Sequence, residues 1–209
     1  MATVLLTGAG GAAIPDLIHH LKSLGHRVLT CDMNPQAPGL YLGDGGFVVP
    51  SGDDDRYRFV LWGLVEQHQI DVILPLVDEE LIPIRKLPKR AGLTVLAPTS
   101  EFIEMCRDKL TLMRAFHEQG IPIPVTDGVN GRTAFPYIVK PRTGRGSRGI
   151  HIYRSQSDVW KGDFWHTDYF LAQEYIDGPE YTVSVVCDQH NTVHAVVPKE
   201  IIRKESSTR

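Results

Sequence analysis

Two lysines and a glycine-rich loop carry the residue types best suited to chemistry in this sequence. Lys140 ends the apolar run Tyr137-Ile138-Val139 and is followed by Pro141. Gly144, Gly146 and Gly149 come next, interleaved with Arg142, Arg145, Ser147 and Arg148, before a second apolar run, Ile150 to Tyr153. The pattern predicts two strands joined by a long, basic turn. Glycines let backbone N–H groups converge on an anion with no Cβ in the way. Lysine and arginine add charge and donors that suit phosphate. The stretch therefore reads as a flap over phosphate, or else as a long hairpin loop whose Gly and Arg serve only turn geometry and solubility. It is not a P-loop, because no Gly-Lys-Ser/Thr follows the spacer. Lys109 is a second cation of interest, next to Asp108 within a predicted helix. Taken alone, it reads as a solvated helix residue.

A second group of candidates lies near the N-terminus. The turn Gly8-x-Gly10-x-x-Ala13, with Gly11 inside it, follows an apolar run and precedes a helical pattern, and Asp32 comes about 20 positions on. That spacing matches a dinucleotide fingerprint. It also matches any tight strand-to-helix connection in an open α/β sheet. Asp78-Glu79-Glu80 follows another apolar run and suits either a helix N-terminus or substrate contact. The nine histidines show no metal-ligand spacing.

The elements that would position these groups alternate. Strands are predicted at 3–7, 27–32, 46–49, 71–77 and 94–97. Helices are predicted at 14–24, from Asp53–Asp55 as N-cap carboxylates to about Gln69, and from Leu81 to Leu87. Phe59, Val60, Leu64 and Val65 form the expected apolar stripe of the second helix. The long apolar run at 71–77 is typical of a strand buried on both faces of a parallel sheet. This is a doubly wound α/β domain, with its ligand crevice expected at the strand C-termini, where Gly10, Gly11, Asp78 and Glu79 fall. Ser100 to Gln119 reads as one helix capped by Ser100, ending at Gly120. Ile121-Pro122-Ile123-Pro124 is an extended connector. A short helix is predicted from Ser155 to Trp160, with Phe164, Trp165, Tyr169 and Phe170 as aromatic core. A strand then ends at Ile176, and a closing hairpin turns at Asp188 to Asn191.

Composition bounds the rest. The 209 residues carry a formal net charge of −3 and ordinary globular proportions. Nothing favours nucleic acid or an anionic membrane as partner. Three well-separated cysteines, none in a CxxC pair, predict a reducing cytoplasm and buried, inert thiols.

Four pieces then stand in order: Asp108-Lys109 in a helix before Gly120-Ile-Pro-Ile-Pro; Tyr137-Ile-Val-Lys140-Pro141; the Gly144–Gly149 loop; and Gln173-Glu174-Tyr175-Ile176 followed by Glu180-Tyr181. Together they resemble the ATP-grasp superfamily, and within it the carbamoyl-phosphate synthase large-chain-like branch. The resemblance spans the chain. It implies a Rossmann-like pre-ATP-grasp domain at 1–98, a connecting helix at 99–120, and at 121–209 the α+β small subdomain and the start of the large subdomain. It implies ATP as cofactor. Lys109 and Lys140 would neutralise phosphates. Gly144, Gly146, Ser147, Arg148 and Gly149 would close over them. Gln173, Glu174, Tyr175 and Ile176 would form the adenine-reading hinge, and Glu180 would accept from the ribose.

The implied chemistry is ATP-dependent ligation of a carboxylate to an amine or thiol through an acyl phosphate. Gly10, Gly11, Asp78, Glu79 and Arg203 are the candidate contacts to the carboxylate substrate. The family's Mg²⁺ ligands fall later than Arg209, so neither metal ligands nor catalytic residues are expected in these 209 residues, and the chain is expected to be inactive alone. Two alternatives stay open: a non-catalytic nucleotide-binding or regulatory module, and an NAD-binding Rossmann protein. Homo-oligomerisation is left open by the sequence.

Overall fold

The computed structural model describes residues 1–144, 148–159, 168–188 and 190–202. The chain forms two compact units, the first Met1–Glu104 and the second beginning at Met105.

In the first unit, β1 (Thr3–Leu6), α1 (Ile14–Ser23), β2 (Arg27–Asp32), β3 (Gly45–Val48), α2 (Tyr57–His68), β4 (Val72–Leu74), α3 (Asp78–Arg85) and β5 (Thr94–Val95) alternate. All strand pairs are parallel, in the order β3-β2-β1-β4-β5. This is the predicted doubly wound sheet. Its side-chain period of two splits β1 between two cores. Val4 and Leu6 pack with Ile14 and Ile18 of α1, while Leu5 packs with Tyr57, Leu61 and Val65 of α2 and Ile84 of α3. Of the expected α2 stripe, only Val65 is fully buried. Leu64 is only partly buried and Phe59 and Val60 are exposed, because Tyr57, Leu61 and Val65 take the inward positions. Nor do Asp53–Asp55 cap α2. Arg56 stands at its N-cap, and Asp54 instead accepts from the Arg56 backbone N–H at 2.8 Å.

The predicted single helix from Ser100 to Gln119 is two helices, α4 (Ser100–Arg107) and α5 (Lys109–Glu118). Asp108 has extended backbone and caps α5, its Oδ1 accepting from Leu110 N–H at 3.0 Å. An unbroken apolar period hides this break, because a short acidic side chain that serves a new N-terminus ends one helix and starts another. Thr99, not Ser100, caps α4, through Phe102 N–H at 3.3 Å.

The second unit continues with β6 (Tyr137–Pro141), β7 (His151–Tyr153), β8 (Phe170–Glu174), β9 (Tyr181–Cys187) and β10 (Val193–Glu200). Its main sheet is antiparallel, ordered β7-β6-β8. Tyr137, Val139, Tyr153 and Ala172 form its core, with the Tyr137 and Tyr153 rings stacked at 5.3 Å. Strand β8 stops at Glu174, two residues short of the expected Ile176. Among the described residues a 3₁₀ turn, Gln156–Asp158, stands where a helix from Ser155 was predicted; Trp160 lies outside them. Asp158 closes a capping box with Ser155 there and satisfies the backbone without an α-helix. Of the expected aromatic core, Phe170 is partly buried against the sheet and Tyr169 is exposed; Phe164 and Trp165 lie outside the described residues. Strands β9 and β10 pair as the closing hairpin.

All three cysteines are free, but only Cys31 is buried; Cys106 is half-buried and Cys187 exposed. No helix among the described residues is long and apolar enough to cross a membrane.

Candidate nucleotide-phosphate site

Strand β6 places Lys140. Directly paired residues of an antiparallel ladder share a face. Tyr137 and Val139 point into the core with Ala172, so Ile138 and Lys140 take the opposite face with Gln173 and Leu171. There Lys140 Nζ donates to Gln173 Oε1 at 2.8 Å. Burial holds this ammonium below the ordinary lysine value, and the like charge of Lys109 adds to the shift.

The break before α5 places Lys109. Its backbone N–H donates to Arg142 O at 2.9 Å. Its Nζ donates to Gly144 O at 2.9 Å, Pro141 O at 3.2 Å and Arg142 O at 3.3 Å. Burial lowers its pKa too, opposed by the Asp108 carboxylate. Arg142 is paired within the protein and is not left open to a ligand anion. Its Nε donates to Asp108 Oδ1 at 3.0 Å, its Nη2 to Asp108 Oδ2, and its Nη1 to Asp168 O at 3.1 Å. The paired guanidinium holds the Asp108 carboxyl well below the usual carboxylate range. Two half-desolvated cations therefore stand at the root of the glycine loop, one gathered by loop carbonyls and one by a neutral amide.

The loop itself is described at both ends. Gly144 has φ +103° and Gly149 φ +68°. Its positive φ favours glycine at 149, where a Cβ would also come tightly, to 3.1 Å, against Pro141 Cγ. Arg148 is exposed just before β7. Gly146 and Ser147 lie outside the described residues.

The predicted hinge is divided in its roles. Gln173 is buried and serves Lys140. Glu174 is exposed and turns back to the connector, where its Oε2 accepts from Val125 N–H at 3.0 Å. Tyr175 N–H donates to Pro136 O at 3.1 Å, and the Arg154 guanidinium lies 5.4 Å from the Tyr175 ring centre. Ile176 and Glu180 are exposed. Sequence reasoning missed two members of this arrangement. Thr126 accepts from Gln173 Nε2 at 2.9 Å, and Asp108 anchors Arg142. The only sequence signal for Asp108 was its place next to Lys109; Thr126 had none.

The remaining candidates belong to the first unit. Gly8 has φ +63°, and a Cβ there would come within 2.4 Å of Val77 Cγ2. Gly10 N–H is taken by Asp32 Oδ2 at 2.8 Å and Gly11 N–H by Gly8 O at 3.1 Å. Asp32 also accepts from Asn34 N–H at 2.7 Å. The turn and its acidic residue thus satisfy each other, which leaves neither glycine amide open to a ligand. Asp78 and Glu79 open α3 beyond its N-cap Val77, with no side-chain capping bond. Arg203 lies outside the described residues. Among the described residues no three His, Cys, Asp or Glu side chains are grouped to hold a metal ion.

Residues 106–209 match the family described as an ATP-grasp domain, and residues 4–96 match the PylC-like N-terminal domain. The chain is 24% identical over 190 residues to carbamoyl-phosphate synthase of Methanobrevibacter smithii, covering 85% of this chain and 50% of that protein. It is 28% identical over 170 residues to formate-dependent phosphoribosylglycinamide formyltransferase of Paraburkholderia xenovorans, covering 75% and 40%. The crystal structure of N5-carboxyaminoimidazole ribonucleotide synthetase from Thermotoga maritima superposes with a TM-score of 0.69 at 21% identity, over 95% of this chain and 53% of that one. An ADP complex of an N5-carboxyaminoimidazole ribonucleotide synthetase gives a TM-score of 0.75 at 18% identity, over 97% and 54%. The chain spans about half the length, or less, of the curated relatives it matches.

Proposed function

The chain belongs to the ATP-grasp superfamily, and on that premise we propose that its second unit is the nucleotide-phosphate-binding part of an ATP-dependent ligase joining a carboxylate to an amine or thiol. We take residues 1–98 as the pre-ATP-grasp domain, 99–120 as the connection and 121–209 as the nucleotide-binding portion. The observation that carries the reading is the pair of desolvated lysines. Lys140 is half-buried against an uncharged amide, and Lys109 half-buried against backbone carbonyls. Lys140 has no carboxylate partner among the described residues and the Asp108 carboxylate beside Lys109 is engaged by Arg142, which leaves both cations a field for an incoming anion.

When bound, ATP supplies the phosphoryl group that activates the carboxylate as an acyl phosphate. The residues of this chain bind and orient. Lys140 and Lys109 offset phosphate charge, Gly144 and Gly149 give the loop the backbone freedom to approach it, and Tyr175 and Ile176 contribute apolar surface for a base. Glu180 takes the ribose. Asp78 and Glu79 remain the candidates of the first unit for the substrate side, whereas Gly10 and Gly11 do not, their amides being already engaged. Among the described residues no three His, Cys, Asp or Glu side chains are grouped to hold Mg²⁺. A reducing cytoplasm fits three free thiols.

Titration calorimetry with ATP tests the reading. The wild-type chain binds ATP, and Lys140→Ala weakens binding by about tenfold or more, beyond what an exposed ion pair contributes. Unchanged affinity removes Lys140 from the site, and a wild-type chain that binds NAD but not ATP overturns the reading altogether.

A further inference from the structure

The side chain that sets Lys140 is itself set from a distance. Gln173 Oε1 faces Lys140 Nζ at 2.8 Å and Gln173 Nε2 faces Thr126 Oγ1 at 2.9 Å. Thr126 Oγ1 lies 2.8 Å from Pro124 O. The donors and acceptors in this row have only one consistent polarity. An ammonium can only donate, so the amide atom facing Lys140 must be oxygen. The amide nitrogen must then donate to the Thr126 hydroxyl, and that hydroxyl must send its own hydrogen to the Pro124 carbonyl, which can only accept. Thr126 and Gln173 are buried, with Thr126 fully so. No water is needed to complete the row.

We infer that Thr126 is a positioning residue for the nucleotide site: through Gln173 it fixes the direction in which Lys140 presents its charge. The inference rests on the proposed ATP-binding role of Lys140. Three features support it. First, Gln173 is the one hydrogen-bond partner of Lys140 among the described residues. A free amide could turn about its last torsion and place NH₂ against the ammonium, two donors face to face. Thr126 excludes that turn. Second, the partner is neutral. A carboxylate at position 173 would also hold Lys140, but it would cancel the charge that a phosphate is to meet. An amide held the right way round orients the lysine without neutralising it.

Third, the hydroxyl is not needed to hold the backbone here. Thr126 already forms an antiparallel bridge with Gln173, flanked by Glu174 N–H to Val125 O at 2.7 Å and Asp127 N–H to Ala172 O at 3.0 Å. Asn130 Oδ1 accepts from Thr126 N–H at 2.7 Å. The strand-to-connector pairing therefore stands without the side-chain row, and the hydroxyl links the Gln173 amide to the Pro124 carbonyl. Thr126 belongs to the connector that follows Gly120-Ile-Pro-Ile-Pro, 14 residues before Lys140 in sequence, so the role is invisible in the local pattern.

The test is a double-mutant cycle on ATP affinity, measured by calorimetry on the whole chain. Thr126→Val keeps the shape and removes the hydroxyl; it should weaken ATP binding about fivefold to tenfold, the loss expected from one mis-set hydrogen bond. Thr126→Ser restores the hydroxyl and should bind close to wild type. Lys140→Ala/Thr126→Val should bind no more weakly than Lys140→Ala, because a residue acting through Lys140 has nothing left to act on. Thermal melting checks that each variant folds. If Thr126→Val does not, Gln173→Met breaks the row from its other end and carries the same expectation.

Wild-type affinity in Thr126→Val, a loss in Thr126→Ser equal to that in Thr126→Val, or additive losses in the double variant would each overturn the inference while leaving the ATP site standing. Wild-type affinity in Lys140→Ala would instead remove the functional reading beneath it.

Discussion

Asp108 shows how a single side chain can do three local tasks. It caps α5 through Leu110 N–H, accepts from Thr111 Oγ1 at 2.9 Å, and grips the Arg142 guanidinium. The grip ties the start of α5 to the root of the glycine loop, where Lys109 Nζ also lies. Asp108→Asn keeps the size and the capping oxygen but removes the charge opposite Arg142. Because both side chains are partly buried, we expect a loss of about 1 kcal/mol of stability at neutral pH. The sign with pH follows from the depressed pKa. The contribution is fully present above the unfolded carboxylate value and is lost as pH falls toward the lower folded value. Urea unfolding of both forms should therefore show a gap at pH 7 that narrows in acid. A gap that persists undiminished in acid would detach the effect from the Asp108 charge.

At the scale of elements, glycine does its clearest work in the β1–α1 turn. The chain must reverse at once after β1, and Gly8 takes φ +63° with Val77 packed against it. Gly8→Ala meets both the left-handed backbone penalty and the contact at 2.4 Å. Together these should cost roughly 2–4 kcal/mol, read as a lower urea midpoint with an unchanged m-value. The same turn explains why the dinucleotide-like spacing arose without an open anion site. Its amides are consumed by Asp32 and Gly8 O, so the spacing serves chain reversal. Likewise α4 and α5 share one apolar period, and the helix divides where Asp108 caps α5 and pairs with Arg142, 34 residues away.

The scale of the whole molecule is set by two units with different electrostatics. The second concentrates desolvated cations, whereas the first buries an acid. Glu80, in the first turn of α3, is buried among Tyr57, Cys31 and Thr7. Burial pushes its carboxyl up to about 7. The Thr7 and Tyr57 hydroxyls act the other way, and the Asp32 and Glu79 carboxylates add to the rise. A raised acid holds its proton more tightly folded than unfolded. Its stabilising effect is thus greatest below the ordinary glutamate value and is lost as pH rises through about 7. Glu80→Gln should remove this slope and gain up to about 3 kcal/mol over wild type at pH 8. Hydrogen exchange locates the effect. Amides of Leu5 and Ile73 should follow pH and the substitution, while those of Val139 and Ala172 should follow neither. A slope shared equally by both sets would tie the units into one cooperative whole. The β9–β10 hairpin leaves Val183, Val185, Val196 and Val197 exposed.

The sequence by itself determined the alternation of strand and helix, the parallel sheet of the first unit, the hairpin that carries Lys140 and the order of motifs that points to a nucleotide. Each of these is written in period, apolar run length or glycine placement, which are local properties. Only the tertiary structure decided which charged groups are spoken for. Arg142 reads as a phosphate donor in sequence and is an internal ion-pair partner in the fold; Gly10 reads as an anion-binding amide and is closed by Asp32. Gln173 reads as part of a hinge and is the orienting partner of Lys140. The inward stripe of α2 was displaced because a helix turns toward whichever neighbours bury it best, and those neighbours lie far along the chain. Hydrogen bonds across 22, 33 and 34 residues leave no trace in local spacing. The flap was therefore legible as a likeness to a phosphate loop, but the direction in which its lysine faces was fixed by Thr126 and Gln173, residues that the fold alone brings together.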